Sequence, residues 1–227
     1  MTLLGIDTST PASTACVLRD DGQSFEVVPE PARLSAGPGH ARELMPAVAE
    51  VMERAGLDFR DLEAIAVGVG PGMFTGLRIG IATARALASA GGLRLRPVSS
   101  LAALAAGMRD EGAGEDTLLP LIDARRGEVF GALHGAGGEL LWPPFVAAPE
   151  DVVARVREAG FSVRAAGDGS IRFRRVLEAA GIGVDADESR SHVVRALHVC
   201  RLAQAVPGEA PEAVLPDYLR APDAKTP

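Results

Sequence analysis

Apolar and polar positions change period several times along this chain, and each change marks an element. Residues 3–7 (Leu-Leu-Gly-Ile-Asp) form a short apolar run that predicts a buried strand ending on an acid. Residues 13–19 alternate, Asp20-Asp21-Gly22 is a hairpin signal, and 23–28 supply a third strand, so the three predict an antiparallel meander. After a Pro/Gly-rich loop, 40–55 place Ala41, Leu44, Met45, Val48, Met52 and Ala55 at helical spacing, with Pro46 predicting a kink or a late start. A strand at 64–69, a glycine-rich turn, a helix from about 75 to 90 capped by Thr75 or the turn before it, and a strand at 95–99 complete the first half.

The second half repeats the order. Residues 118–123 read as a strand, 129–134 and 139–142 as a hairpin, 149–159 as a helix, 163–166 as a strand, and 171–180 and 192–206 as helices. Both halves open on a strand ending in an acid, Asp7 or Asp123. This predicts an α/β protein of two related lobes, 1–100 and 101–227, joined near 100–117, where Ser99-Ser100 starts a helix at 101–108. The tail from 207 to 227 is expected to be extended, with Tyr218-Leu219-Arg220 as its only anchor.

Size and composition narrow the picture. The 227 residues are 47% hydrophobic but only 4% aromatic, which suits Ala-, Leu- and Val-rich helices laid closely on sheets. A net charge of −7 argues against this chain alone holding a phosphate backbone, so any RNA contact is expected through a partner. Cys16 and Cys200 lie in apolar surroundings without metal or redox spacing and read as buried thiols. The first residues reach an acid too soon for a signal peptide and no window spans a membrane, so a cytoplasmic location is expected.

The most specific segment is Gly70-Pro71-Gly72-Met73-Phe74-Thr75-Gly76-Leu77-Arg78-Ile79-Gly80. A strand-to-helix turn of this kind presents backbone N–H groups to an anion, or aims a helix at another helix. Together with Gly5-Ile6-Asp7-Thr8-Ser9-Thr10, Asp123-Ala124-Arg125-Arg126-Gly127-Glu128-Val129-Phe130, Gly167-Asp168-Gly169 and Pro216-Asp217-Tyr218-Leu219-Arg220, it resembles the TsaB family, also called YeaZ. The resemblance implies a two-lobe actin-like (ASKHA, RNase H-like) fold, each lobe a mixed sheet with flanking helices. It also implies a non-catalytic place in the bacterial complex that puts a threonylcarbamoyl group on the adenosine beside the anticodon of tRNAs reading ANN codons. The implied partners are a TsaD-like paralogue, which holds the metal and active site, and a TsaE-like ATPase. ATP and metal are expected on those partners, tRNA is reached through the complex, and no cofactor or membrane is expected for this chain.

Actin-like ATPases hold nucleotide phosphates and Mg²⁺ between two Asp-bearing loops, one per lobe. The matching positions here, Asp7, Thr8, Ser9 and Thr10 and then Asp123, look vestigial: Ser9 stands where a glycine is preferred, and Arg125-Arg126 follow Asp123. The alternative for Asp7 and Thr8 is to staple the strand end. His40 stands alone where a metal-binding paralogue carries two histidines a turn apart, since Leu44 takes the next turn, and His134, His192 and His198 are scattered. No serine or cysteine has nucleophile surroundings.

The small residues Gly76, Gly80, Ala84 and Ala88 recur every fourth position and form a flat stripe that another backbone approaches closely. That neighbour is either internal, the sheet or the preceding helix, or a partner. In the second case Arg42, Leu44, Met45, Val48 and Met52 of the first helix and Leu77, Arg78, Ile81 and Arg85 of the second form a two-helix docking face, as the resemblance implies. Arg78 and Arg85 then lie at its rim. The competing readings are a free-standing actin-like ATPase or kinase, a metallopeptidase as in older labels, and a homodimer through the same helices.

Overall fold

In a computed structural model of the chain, which describes residues 1–112 and 114–220, the opening apolar run is strand β1 (Leu3–Asp7). It pairs antiparallel with β2 (Thr14–Leu18), which pairs with β3 (Ser24–Val27), giving the expected meander. Helix α1 (His40–Ala55) then leads to β4 (Ala64–Gly70), which lies parallel to β1. Helix α2 (Phe74–Gly91) crosses over to β5 (Arg94–Ser99), parallel to β4. Helix α3 (Ser100–Asp110), with the Ser99 hydroxyl accepting from Ala102 N at its start, carries the chain to the second lobe.

There β6 (Thr117–Arg125), β7 (Glu128–His134) and β8 (Leu140–Ala147) repeat the meander. Helix α4 (Pro149–Ala159), strand β9 (Val163–Ala166), helices α5 (Asp168–Arg172) and α6 (Arg174–Ala179), strand β10 (Gly183–Val184) and helix α7 (Ala196–Ala203) follow. Among the described residues the sheet orders are β3-β2-β1-β4-β5 and β10-β9-β6-β7-β8. Reading the second from β8 gives the same topology, so the two lobes are the related mixed sheets of an actin-like fold. None of the described helices is long and apolar enough to cross a membrane.

Strict alternation along β1 sends Leu4 and Ile6 into a core with α1 and α2, and Leu3 into a second core with α3 and α7. The second core also takes Ile122, Ala124, Phe130 and Ala132 from the other sheet, so α3 and α7 are the layer that joins the lobes. β2 is buried on both faces for this reason, although its sequence alternates. Helix α7 packs on β1 and β2 and therefore returns the C-terminal part of the chain to the first sheet. It brings Cys200 beside Cys16, both buried, with the Cys200 Sγ 3.7 Å from the Cys16 carbonyl oxygen.

Several expectations are corrected. Helix α1 keeps its expected bounds but does not start late: it begins at His40 and runs through Pro46, and the carbonyl that loses its bond, that of Arg42, belongs to an exposed residue, where water can replace the lost donor. Of the two expected caps of α2 it is the turn before Thr75 that serves, through Met73, and no side chain caps the helix. The helix expected at 171–180 is two short helices broken at Phe173, and the one expected at 192–206 is shortened because the Glu26 carboxylate of β3 accepts from Leu197 N at 3.0 Å and fixes the start of α7. Strand β8 extends through Pro143 and Pro144, which an edge strand tolerates.

The tail has many anchors before Tyr218. Glu209 pairs with Leu95, Val214 is buried beside α2, and Asp217 N donates to the Val69 carbonyl at 2.8 Å. Arg220 reaches Ala124 O and Glu128 in the other lobe. Residues 207–220 are thus a strap across β5, α2 and the glycine turn; the remainder of the expected tail, with Lys225, lies outside the described residues.

The small-residue stripe of α2 faces inward. A Cβ at Gly76 would strike the Thr8 carbonyl oxygen, and one at Gly80 would strike the Thr8 hydroxyl. Helix propensity favours Ala over Gly by about 1 kcal/mol, whereas overpacking against backbone costs about 1–3 kcal/mol. Gly76→Ala and Gly80→Ala are therefore expected to lower stability in urea unfolding; a gain in stability would show that α2 is not seated this closely.

Candidate functional site

Two candidate sites follow from the sequence, the acidic loops and the helix face. At the first loop, the Asp7 Oδ1 accepts from Ser9 N at 2.8 Å and Ser9 Oγ at 2.6 Å, and Oδ2 accepts from Ser100 Oγ at 2.7 Å. The carboxyl is buried, and that burial raises its pKa above the ordinary value, with the three hydrogen bonds pulling the other way. The Thr8 hydroxyl donates to the Gly76 carbonyl at 2.8 Å, and Met73 N donates to the Ser9 carbonyl at 2.7 Å. Thr8, Ser9 and Thr10 are all buried. This loop is closed over by α2, as the stapling alternative requires.

The second loop is built differently. Asp123 Oδ1 accepts from Arg125 N at 2.8 Å, while Oδ2 takes Arg125 Nη1 at 3.1 Å and Arg172 Nη1 at 3.4 Å. Asp123 N donates to Oδ1 of Asp168 at 3.0 Å. Burial, and after it the charge of Asp123, pushes the Asp168 carboxyl up to about 6. The loop carrying Asp168 is fixed by His192, whose Nδ1 accepts from Gly167 N at 3.0 Å and whose Nε2 lies 3.0 Å from the Ala186 carbonyl. Asp168 was visible in the sequence only as part of a Gly-Asp-Gly motif; its partner Asp123 lies 45 residues away and is joined to it by the β6–β9 pairing.

A Mg²⁺-bound nucleotide, which the fold would imply, does not fit these residues. Mg²⁺ needs carboxylate oxygens or waters in near-octahedral array. Both Asp7 oxygens are engaged by hydroxyls and backbone, and Asp123 faces two guanidinium groups. His40 stands apart, with Nδ1 2.9 Å from Ser13 Oγ, and burial holds its pKa below the ordinary imidazole value. Among the described residues, no three His, Cys, Asp or Glu side chains converge on one point.

The helix face needs correction as well. Leu44, Val48, Met52, Gly76, Leu77, Gly80 and Ala84 are buried inside the chain and face inward, and Ile81 is buried too, although it lines the floor of a surface groove beside α2. They are the surfaces by which α1 and α2 cover the first sheet. Arg85 is half-buried and donates to the strap carbonyls of Glu212 and Val214 instead of standing at a rim. Of the predicted face, Arg42, Met45 and Arg78 are exposed. The structure adds Phe74, whose ring stacks on Tyr218 with centroids 5.2 Å apart and lies 3.8 Å under the Arg78 guanidinium. Arg78 Nε also donates to the Tyr218 hydroxyl at 3.1 Å. Beside this cluster Ala82, Leu215 and Pro216 line an open groove, in which Leu215 is 67% exposed. An exposed aromatic and the position of the strap carry no periodic signal, which is why the sequence did not mark them.

Known proteins add an independent line. The model of the family described as TsaD, tRNA N6-adenosine threonylcarbamoyltransferase, matches residues 26–224. An uncharacterized protein of Mycobacterium leprae is 40% identical over 150 residues, 66% of this chain and 40% of that protein. The tRNA threonylcarbamoyladenosine biosynthesis protein TsaB of Escherichia coli is 35% identical over 145 residues, 63% of this chain and 58% of that protein. The match thus covers less than two thirds of either relative. The solved structure of YeaZ from Pseudomonas aeruginosa superposes with a TM-score of 0.75 at 31% identity, covering 96% of this chain and 99% of that one.

The Asp168 environment gives a signed expectation. Its folded pKa of about 6 lies above the unfolded 3.8, so the folded state holds the extra proton and stability falls as pH rises from about 4 to above 6. Asp168→Asn is expected to be more stable than the wild type above pH 7 by about 1–3 kcal/mol, with the difference vanishing near pH 4. Parallel pH-dependent unfolding curves for the two proteins would contradict this.

Proposed function

The chain belongs to the TsaD family and, within it, to the TsaB (YeaZ) proteins, and from that premise we propose that it is a non-catalytic subunit of the assembly that forms N6-threonylcarbamoyladenosine beside the anticodon of tRNAs reading ANN codons. The observation that carries this reading is the opposite disposition of its polar and apolar groups. The Asp7, Thr8 and Ser9 side chains of the first lobe are turned inward and bonded within their own loop and to α2, whereas α2 turns outward Phe74, Arg78 and Ala82 and contains no acid in its whole length.

In this reading a TsaD-like paralogue docks on the outward face of α2, with Met45 of the adjacent α1 and Leu215 and Tyr218 of the strap at its margins. A partner helix with apolar residues toward Ala82 and carboxylates toward Arg78 is complementary to it. The catalytic metal and ATP reside on the paralogue and on a TsaE-like ATPase, tRNA is bound by the complex, and the assembly works in the cytoplasm. The contribution of this chain is to favour the paralogue's active conformation by binding it better than the inactive one. Without its partner the same face pairs with a second copy, giving a homodimer.

Ala82→Arg and Met45→Glu sit on exposed helix surface, where substitutions change stability by only about 0.5 kcal/mol. Ala82→Arg, at the centre of the face, is expected to weaken the complex with the paralogue at least tenfold, a loss of about 1.4 kcal/mol or more, and Met45→Glu, at its margin, to weaken it by less. Calorimetric titration of the paralogue with each variant checks this; wild-type affinity for both would mean that the partner binds elsewhere.

A further inference from the structure

Between the lobes lies a cleft of about 280 Å³, walled on one side by Leu34, Ser35 and Ala36 and on the other by Asp123, Arg125, Asp168 and Arg172. The docking reading leaves this cleft without a use. Arg125 and Arg172 are 52% and 51% exposed, and each commits a single Nη1 to the same Oδ2 of Asp123. Arg125 Nη2 also touches the Met73 Sδ of the glycine turn at 3.7 Å, so this guanidinium bridges the lobes across the cleft. A guanidinium carries five N–H donors and no acceptor, which leaves each of these side chains more donors than Asp123 takes up. Arg125 and its neighbour Arg126 hold backbone φ of +63° and +55°, a left-handed region that residues other than Gly, Asn and Asp seldom enter.

The charges in the cleft do not suit a cation. Two guanidiniums against the Asp123 carboxylate leave one positive charge when Asp168 carries its proton and none when it does not. The other side of the cleft is uncharged. Around the Asp168 loop, β9 contributes Arg164, paired with Asp185, α6 contributes Arg174, paired with Glu178 and Asp187, and the 190–192 turn contributes His192, bound to Gly167 N. Asp168 is itself 8% exposed, with Oδ1 held by Asp123 N, and it forms part of the cleft lining.

We infer that the interlobe cleft is a metal-free oxyanion site, in which Arg125 and Arg172 bind a small sulfate-, phosphate- or carboxylate-bearing molecule against the buried carboxyl of Asp168. This goes beyond the docking reading and does not depend on it. Guanidinium forks match oxyanions in geometry, and here the two guanidiniums occupy Oδ2 of Asp123 while the Arg125 backbone N occupies Oδ1, the oxygens that a divalent cation would need. A protonated Asp168 donates its O–H to the anion, and an ionised one repels it. Binding therefore takes up a proton.

The test is calorimetric titration of the full chain with sulfate, which keeps its charge from about pH 5.5 to about pH 7.5, with acetate in parallel. Sulfate or acetate is expected to bind on the order of 20-fold more weakly at about pH 7.5 than at about pH 5.5, the ratio of protonated Asp168 for a pKa of about 6. Preference for sulfate points to a phosphorylated or sulfated ligand, and preference for acetate to a carboxylic acid. Arg172→Ala should lose binding about tenfold or more, while Asp168→Asn should bind with an affinity that no longer depends on pH; circular dichroism confirms that both variants fold. Three results would each overturn the proposal: no saturable binding at millimolar anion, equal affinity in Arg172→Ala, or a pH dependence that persists in Asp168→Asn. Saturable binding of ATP that requires Mg²⁺ and competes with sulfate would also overturn it, because the cleft would then be a metal–nucleotide site.

Discussion

The seat of α2 on the end of β1 is the contact on which the rest of this structure depends. Gly76 and Gly80 bring the helix backbone against Thr8 so closely that no side chain fits between them. The Thr8 hydroxyl and the Ser9 carbonyl bond directly to α2 and its cap. Because the helix is pinned there, the glycine turn before it has one position, Met73 reaches toward Arg125 of the other lobe, and the opposite face of α2 has one direction in which to point. The strap then closes over the flank of α2, with Val214 buried and Asp217 bonded to the end of β4.

The two lobes share a topology but have spent their acids in different ways. In the first, hydroxyls and a backbone N–H satisfy a buried Asp7, and α2 covers the loop. In the second, guanidiniums meet Asp123 at a cleft still open to solvent, and burial raises the pKa of Asp168 behind it to about 6. Chemistry that needs a carboxylate pair facing one ligand across the lobes is unavailable in this arrangement. What remains is the outward face of α2, which we propose meets another protein, and the cleft, for which we propose an anion.

The sequence made legible those features that a local period encodes. β1, α1, α4 and β9 have the expected bounds because each buries one stripe or one full run against its own sheet. The stripe on α2 was legible as a close contact, but its neighbour was not, since a run of small residues looks the same whether it faces Thr8 of this chain or a partner. The leucines and Ile81 flanking it were drawn into the predicted docking face for the same reason, and they proved to be core. The short α7, the break at Phe173 and the anchors of the strap depend on groups distant in sequence, such as Glu26 and Val69, and leave no local mark. Arg125 and Arg126 stood out as departures from a phosphate loop, yet Arg172, which shares Asp123 with Arg125, and Asp168, which accepts from Asp123 N, came into view only when β9 paired with β6.

The central claim is that this protein acts through its surface and not through its interior acids. The most direct measurement is the rate of ATP-dependent tRNA threonylcarbamoylation by the reconstituted paralogue and ATPase, first without this chain, then with wild type, and then with Asp123→Asn. The account predicts near-background modification without the chain and wild-type modification with Asp123→Asn. Undiminished modification in its absence, or loss of modification with a folded, partner-bound Asp123→Asn, would contradict it.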